Sequence, residues 1–439
     1  MKVFILNPNF NLEKRVIMNV RYRQPISLAI IAAILKNSNY QVKLLDANVL
    51  NYSNAQVISE IDKFQPQVLI LTSTSIDRWE CPIAHLDNLY SLIDNIKVEH
   101  KILTGAHGTV TPKWIMERCK VDFVIRGEPE LIVKELIDNL DDAKNVKGVS
   151  WRDERKIVNN PNADRISDLD RLPLPAYDLL PMKKYGDGFS IIMTSRGCPY
   201  ACSYCLKAMS SGLYVAQLPE RVVEELEYLV NNFGIKEVFF QDWEFLINPD
   251  RVEQICQLLL SKNIKIKWGC NVRADDIVRS PTLIGLMNRA GCYRINLGLE
   301  SASDKILKNI NKKVSQIDLQ KAVDILKDTD INTGFYVLLN CPGEDKKTIR
   351  ETIDFIDKNN LKVKDFNFPV AYPGTPLFEK MSESEQKDCW ENIEERAGTV
   401  EAQMKPFWAR LYLRHYKFSQ KFGSVYFLKF KFWVNLFKR

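Results

Sequence analysis

Histidine is scarce in this chain, 4 in 439 residues, and neither a histidine nor a cysteine lies between Cys205 and Cys256. A zinc knuckle built near Cys205 would therefore have no close fourth ligand. Long apolar runs are missing too. The stretch Ile26 to Leu35 is too short to cross a bilayer and reads as a buried helix. The N-terminus carries no secretory pattern, so the 10 cysteines point to a reducing cytosol and to metal-binding or reactive thiols rather than disulfides. There is no internal repeat and no low-complexity segment. Acid is missing from one place: from Met404 onward there are nine Lys or Arg and no Asp or Glu. With a whole-chain charge of +6, the basic character belongs to that tail and the body is slightly acidic. A hydrophobic content of 46% with 26% charged residues is ordinary for a globular protein, and the length suggests two or three domains.

What is present is concentrated in Thr194-Ser-Arg-Gly-Cys-Pro-Tyr-Ala-Cys-Ser-Tyr-Cys-Leu-Lys207, where Cys198, Cys202 and Cys205 are spaced CxxxCxxC after the strand-like Ile191 to Thr194. Three thiolates this close can converge on one soft metal centre. An iron–sulfur cube has four irons, so one iron would keep an open position, and open positions are where chemistry occurs. The plain alternative is a zinc or structural cluster.

Residues 1–145 alternate short β-branched runs with helical patterns, which implies a parallel, doubly wound sheet with ligands at the carboxyl ends of its strands. That rim gathers Asn7, Asp46 to Asn48, Thr72, Ser73, Thr74, Gly105, His107, Thr109, Gly127 and Glu128. Glycines there also serve simple turn geometry. Residues 146–188 read as a linker, kept from helix by Pro161, Pro173, Pro175 and Pro181. A second βα series over 189–380 has strands at Glu237 to Phe240, Ile264 to Trp268, Tyr293 to Leu297, Thr333 to Leu338 and Asp365 to Val370. Its helices start near Pro219, Pro249, Pro281, Gln316 and Asp345. Six such units make a partial (β/α)6 barrel with its site at the strand C-termini. Residues 381–439 form a C-terminal region ending in the basic aromatic tail, helical or irregular.

The cysteine loop resembles that of radical S-adenosylmethionine (SAM) enzymes. With it come Pro25-Ile-Ser-Leu-Ala29, Leu45-Asp-Ala47, Thr104-Gly-Ala-His-Gly-Thr109 and Arg126-Gly-Glu-Pro-Glu130 in the first half. The second half adds Phe239-Phe-Gln-Asp-Trp-Glu-Phe245, Arg273-Ala-Asp275, Leu297-Gly-Leu-Glu-Ser301, Cys341-Pro-Gly-Glu344 and Tyr372-Pro-Gly-Thr-Pro376. Together they look like the cobalamin-binding class that includes the anaerobic magnesium-protoporphyrin ester cyclase and many methyltransferases. The resemblance implies a Rossmann-like cobalamin-binding domain before a radical SAM barrel. It also implies a 4Fe-4S cluster on Cys198, Cys202 and Cys205, with SAM on the fourth iron. Tyr204 then lies beside the adenine and Arg273 pairs with the SAM carboxylate. Glu300 and Ser301 hold the ribose or amino group, and Asp242 lies near the amino group. Thr72, Ser73, Thr74, Gly105, His107, Thr109, Gly127 and Glu128 are the candidate cobalamin contacts.

Departures from the family pattern are informative. The Asp-x-His-x-x-Gly loop that often supplies cobalt's lower ligand reads Asp46-Ala-Asn-Val-Leu-Asn51 here, and Asn48 is no strong metal ligand. Similar radical enzymes often lack this histidine, and so would a chain that had lost cobalamin. Trp243 stands where relatives carry a second acidic residue. Cys341 replaces the leucine of Gly-Leu-Pro-Gly-Glu, which marks it as a candidate hydrogen-atom donor in catalysis or as a buried inert thiol.

The expected activity is methyl transfer to an unactivated carbon of a small-molecule or lipid substrate, fed by a one-electron reductant such as flavodoxin or ferredoxin. Cyclisation or rearrangement without methyl transfer is the enzymatic alternative, and a non-catalytic iron–sulfur or zinc protein the other. RNA methylthiolation is disfavoured, since that first domain would bring three more cluster cysteines and only Cys81 and Cys119 are present there. The tail interleaves Phe407, Trp408, Tyr412, Tyr416 and further aromatics with its cations. It suits peripheral contact with an anionic membrane, packing over the barrel opening, or stacking on nucleic acid.

Overall fold

The computed structural model describes residues 1–10, 22–74, 86–154, 156–210 and 212–391. Cys81 and the basic aromatic tail lie outside them. The first sheet has seven strands in the order Gln41–Asp46, Lys2–Asn7, Val68–Thr72, His100–Thr104, Phe123–Ile125, Val149–Asp153 and Lys156–Asn159. The first five pair in parallel, as their near-continuous apolar sequences require, and the last two add an antiparallel hairpin.

That hairpin corrects the expectation of a bare linker over residues 146–188. Ser150, Trp151 and Asn160 turn to form buried or half-buried hydrogen bonds at the sheet edge. Only the proline-rich part beyond Asn160 runs as a connector. It is pinned where the Tyr177 hydroxyl donates to buried Glu225 (2.6 Å) and the Tyr185 hydroxyl to buried Asp46 (2.6 Å).

The second sheet has six strands, all parallel, in the order Val363–Asn367, Asn332–Leu338, Cys292–Glu300, Lys267–Val272, Glu237–Phe240 and Phe189–Ile192. Neighbours in space are neighbours in sequence, the order of a partial barrel whose outer strands do not pair with each other. Two strands are displaced from expectation: Lys267–Val272 starts three residues after Ile264, and Val363–Asn367 starts before Asp365. Helices begin with proline in the first turn at Pro219, Pro249 and Pro281. Ser315 and Asp345 close capping boxes on Gln316–Lys327 and Lys346–Asn359.

Under the helices, Phe240, Phe245 and Trp268 pack ring on ring at 4.5–5.7 Å, and the Trp268 indole N–H donates to the Ala290 carbonyl at the end of Pro281–Arg289. This apolar layer holds the strands in register, so their C-terminal ends form one mouth.

Gln24 clips the two sheets together. Its carboxamide donates to the Phe189 carbonyl (3.2 Å) and accepts from the Ile191 N–H (3.0 Å), satisfying an edge strand of the barrel as another strand would.

Candidate active site

The cysteine loop leaves the barrel at Ile192 and is held from three sides. Asp242 accepts hydrogen bonds from the Thr194 N–H (2.7 Å), the Thr194 hydroxyl (2.6 Å) and the Ser195 N–H (3.0 Å). Burial pushes this carboxyl up, while Arg251 and these donors pull it down. Ser195–Arg196 pairs with Val215–Ala216, and Gly197 takes φ +80°, a left-handed turn. Tyr200 then lays its ring 3.6 Å from the Arg273 guanidinium and donates to Asp276 (2.7 Å). The Asn311 side chain donates to the Ala201 carbonyl (2.7 Å), and the Ser203 N–H to the Ile310 carbonyl (2.9 Å).

Cys198 and Cys205 are half-buried and Cys202 is buried. Burial raises the Cys198 thiol, and nearby Lys207 lowers it. Among the described residues no three His, Cys, Asp or Glu side chains close on one ion.

Around Cys202 lies a network of two cations and two carboxylates. Arg273, just beyond its barrel strand, places Nη1 3.8 Å from the Cys202 sulfur, pairs with Asp275 (2.9 Å) and donates to the Lys312 carbonyl (2.6 Å). Lys312, buried, pairs with Glu300 (2.9 Å), which also accepts from the Tyr204 hydroxyl (2.9 Å). Glu300 reaches inward because the strand register shifts at Gly298/Glu300 and Glu300 takes φ +58°. A Cβ on Gly298 would sit 2.5 Å from the Glu300 carboxylate and 2.8 Å from the Lys312 nitrogen. Burial raises the Tyr204 hydroxyl, with Glu300 beside it. Burial pushes Glu244, on the loop after Asp242, up to about 8.

Arg273, Tyr204 and Glu300 thus converge on the cysteines, and sequence reasoning missed Lys312 and Glu244. A lysine twelve residues past a strand end carries no local signal. Glu244 stood inside Phe239-Phe-Gln-Asp-Trp-Glu-Phe245 and was legible there. Ser301 turns away, sharing a hydrogen bond with the Thr352 hydroxyl (2.9 Å). Cys341 is buried with Ile306, Ile310 and Leu338 against Tyr204, and burial raises its thiol.

On the first sheet, Thr72, Ser73 and Thr74 surround Gly105. A Cβ there would lie 2.7–2.9 Å from their three hydroxyls, and its φ is +104°. Such a bare, hydroxyl-lined cradle at strand ends fits the polar tail of a cobalamin. Thr109 donates to the Gly105 carbonyl and accepts from the Gly127 N–H (both 3.0 Å), fixing the two glycines together. His107 is buried on the short helix Ala106–Val110, and a Cβ on Gly127 would meet open space. Asn48 is buried beside Asp46, whose carboxylate accepts its backbone N–H (3.1 Å). Glu128 faces the barrel side, pairing with Arg196 (3.1 Å) and Arg165 (3.3 Å). Ala106 and Val110 pack with Leu206, Met209 and Tyr372, so the Gly105 loop rests directly on the cysteine loop.

Residues 192–356 match the radical SAM superfamily and residues 20–137 the B12 binding domain. An uncharacterized methyltransferase of Pyrococcus horikoshii is 31% identical over 86% of this chain and 82% of its own length. The anaerobic magnesium-protoporphyrin IX monomethyl ester cyclase of Cereibacter sphaeroides is 26% identical over 81% of this chain and 60% of the cyclase. Among solved structures, the radical SAM methyltransferase TsrM of Kitasatospora setae superposes with a TM-score of 0.69 at 19% identity, covering 86% of this chain and 74% of TsrM. The cobalamin-dependent SAM radical enzyme OxsB gives 0.68 at 21% identity, covering 92% of this chain and 58% of OxsB. Among the described residues no helix is long and apolar enough to cross a membrane. With the cysteine loop at the barrel mouth, the glycine cradle against it and these matches, the chain belongs to the cobalamin-binding family of radical SAM enzymes, whose cofactors are a 4Fe-4S cluster, SAM and cobalamin.

Proposed function

We propose that this enzyme transfers a methyl group to an unactivated carbon of a small molecule. The observation that carries the reading is the packing of the Gly105 loop on Leu206 and Met209, immediately after Cys205. A cobalamin site and a cluster site in contact suit a reaction that needs both on one substrate. When bound, the cofactors supply an electron that cleaves SAM to a 5'-deoxyadenosyl radical and a carrier for the methyl group. Cys198, Cys202 and Cys205 would hold the cluster. Arg273 and Lys312 place positive charge beside Cys202, and Glu300 and Tyr204 offer polar contacts to SAM. The buried contact of Ala106 with Leu206, Met209 and Tyr372 would exclude water where the two sites meet. A flavodoxin or ferredoxin is the kind of reductant this chemistry needs.

The test is anaerobic. Reconstituted, dithionite-reduced protein given SAM releases 5'-deoxyadenosine, and Cys202→Ala does not. With cobalamin supplied and methyl-deuterated SAM, a small-molecule extract of the native cell gains a product carrying three deuteriums. Deuterium-free product together with 5'-deoxyadenosine would move the reading to cyclisation or rearrangement, the reaction type named for the Cereibacter relative. No SAM cleavage by fully loaded protein would leave only a binding role.

A further inference from the structure

Two cations face the inside of the barrel. On the strand Cys292–Glu300 the side chains of Ile295 and Leu297 enter the core beneath the helices, so Arg294 and Asn296 project into the lumen. Arg294 is half-buried there, and among the described residues it pairs with no carboxylate. Its Nε donates to the Asn296 side-chain oxygen (3.3 Å), the Asn296 amide donates to Asn271 (3.2 Å), and Asn271 donates to the Asp242 carbonyl (3.2 Å). This chain of amides orients the guanidinium and leaves its two terminal nitrogens without a hydrogen bond among the described residues.

On the next strand Phe335 and Val337 enter the core, which turns Gly334 and Tyr336 to the lumen. A Cβ on Gly334 would lie 3.3 Å from the Asn296 oxygen and 3.4 Å from the Lys364 Cβ. Lys364, from the last strand, therefore crosses Gly334 beside Asn296, and its Nζ donates to the Tyr336 hydroxyl (2.5 Å). The acids on this face are engaged: Glu237 accepts from the Tyr293 hydroxyl, and Glu300 pairs with Lys312. Tyr336 lies in register with Gly298, where a Cβ would sit 2.5 Å from the Glu300 carboxylate. The positive lumen thus adjoins the network beside Cys202.

A separate observation points to an occupant. Gln241 is 3% exposed, and among the described residues neither end of its carboxamide has a hydrogen-bond partner. Phe240 packs on Trp268 in the core and Asp242 reaches back to Thr194, so strand alternation gives Gln241 the lumen face beside Asn271. Buried amides are completed by some partner, and a molecule in the lumen is within their reach.

We propose that the lumen holds the substrate by an anionic head group, a carboxylate or a phosphate, with Arg294 as its principal contact. A planar guanidinium offers two parallel donors to either anion. Lys364 adds a second positive charge, and Gln241 meets a polar group on the body of the substrate. Anchored by its charged end, the substrate extends toward the strand C-termini, where the cysteine loop and the Gly105 loop meet. This names the substrate class for the proposed methyl transfer and rests on that reading.

The test uses the full chain, reconstituted anaerobically and saturated with SAM and cobalamin. A small-molecule extract of the native cell is split on an anion-exchange resin at neutral pH, and part of the retained fraction is treated with alkaline phosphatase. The retained fraction should raise the melting temperature of the parent and, with methyl-deuterated SAM, give the product carrying three deuteriums. Loss of both effects after phosphatase assigns a phosphate head group, and their survival a carboxylate. Arg294→Met should raise the apparent KM, read from dilutions of the retained fraction, about ten- to a hundredfold, the loss of charge-assisted hydrogen bonds. Its iron content, its SAM affinity by equilibrium dialysis and its melting temperature without extract should match the parent. Arg294→Lys, which keeps the charge without the fork, should recover part of the loss. A labelled product from the unretained fraction, or a parent-like KM in Arg294→Met, would overturn the assignment and leave methyl transfer standing. A retained fraction that raises the melting temperature but gives deuterium-free product would support the anion site and remove methyl transfer. No response to either fraction would overturn the assignment.

Discussion

Arg196 and Glu130 form a buried ion pair at 2.9 Å, joining the residue two before the first cluster cysteine to the helix Pro129–Asp138 of the first sheet. Arg196 also pairs with Glu128 (3.1 Å), and Glu130 accepts from the Ser27 hydroxyl (2.7 Å). Arg196→Met would take the buried guanidinium away from Glu130 and leave Glu128 with Arg165 as its cation. Removing one partner of such a group costs about 3–5 kcal/mol. Thermal unfolding of the variant should show a lower midpoint. Converting Glu128 and Glu130 to Gln in the same chain should recover much of the loss. A single variant as stable as the parent would mean that the pair does not bind the domains together.

Gly105→Ala tests the cradle. Its φ of +104° strains any L side chain, and the new methyl would meet the Thr72, Ser73 and Thr74 hydroxyls. Titration with hydroxocobalamin, followed by absorption, should show about tenfold weaker binding, a loss of about 1.4 kcal/mol, because the added methyl fills the cradle that the cofactor's tail would enter. Iron content after reconstitution should stay at the parent level. Equal cobalamin affinity would place the cofactor elsewhere.

Stability should depend on pH through Glu225. Burial raises its carboxyl from 4.5 to about 7, against the lowering effect of the Tyr177 hydroxyl. A raised carboxyl means that the folded state binds the proton more tightly than the unfolded chain. Its contribution is therefore full below about pH 4.5 and is lost as pH rises toward 7. The change is at most about 3 kcal/mol. Glu225→Gln should flatten that part of the profile in urea unfolding at pH 5 and pH 7.5, and an unchanged slope would remove Glu225 from the account.

Much of this arrangement was legible in the sequence because it follows from period and order. Alternating βα segments placed Arg273 and Glu300 at strand ends, and the three cysteines announced themselves by spacing. Contacts between distant residues were not legible. Lys312 looks like any surface lysine until the register shift at Glu300 turns a carboxylate toward it. Asp242, Glu128 and Ser301 carry acceptors that suit a ligand, yet they meet Thr194, Arg196 and Thr352 across 48, 68 and 51 residues. Only the fold reveals those commitments. The hairpin at 149–159 was hidden because nearby prolines outweighed a short strand pattern.

Gly197 is the point where loop shape is most narrowly determined. Its φ is +80°, and a Cβ there would lie 1.9 Å from the Leu213 carbonyl oxygen, a backbone atom that cannot swing aside. Gly197→Ala must therefore displace either Cys198 or the segment at Leu213 that leads into Val215–Ala216. The rest of the barrel does not depend on this turn: the strand Phe189–Ile192 is held by its parallel neighbour and by Gln24. The variant should fold, with a circular dichroism spectrum like that of the parent. After anaerobic reconstitution it should hold well under half the iron, as absorption near 400 nm reports, because a shifted Cys198 cannot reach its corner of the cube. A variant with full iron content would show that the loop rearranges freely and that its turn is not what brings the three thiolates together.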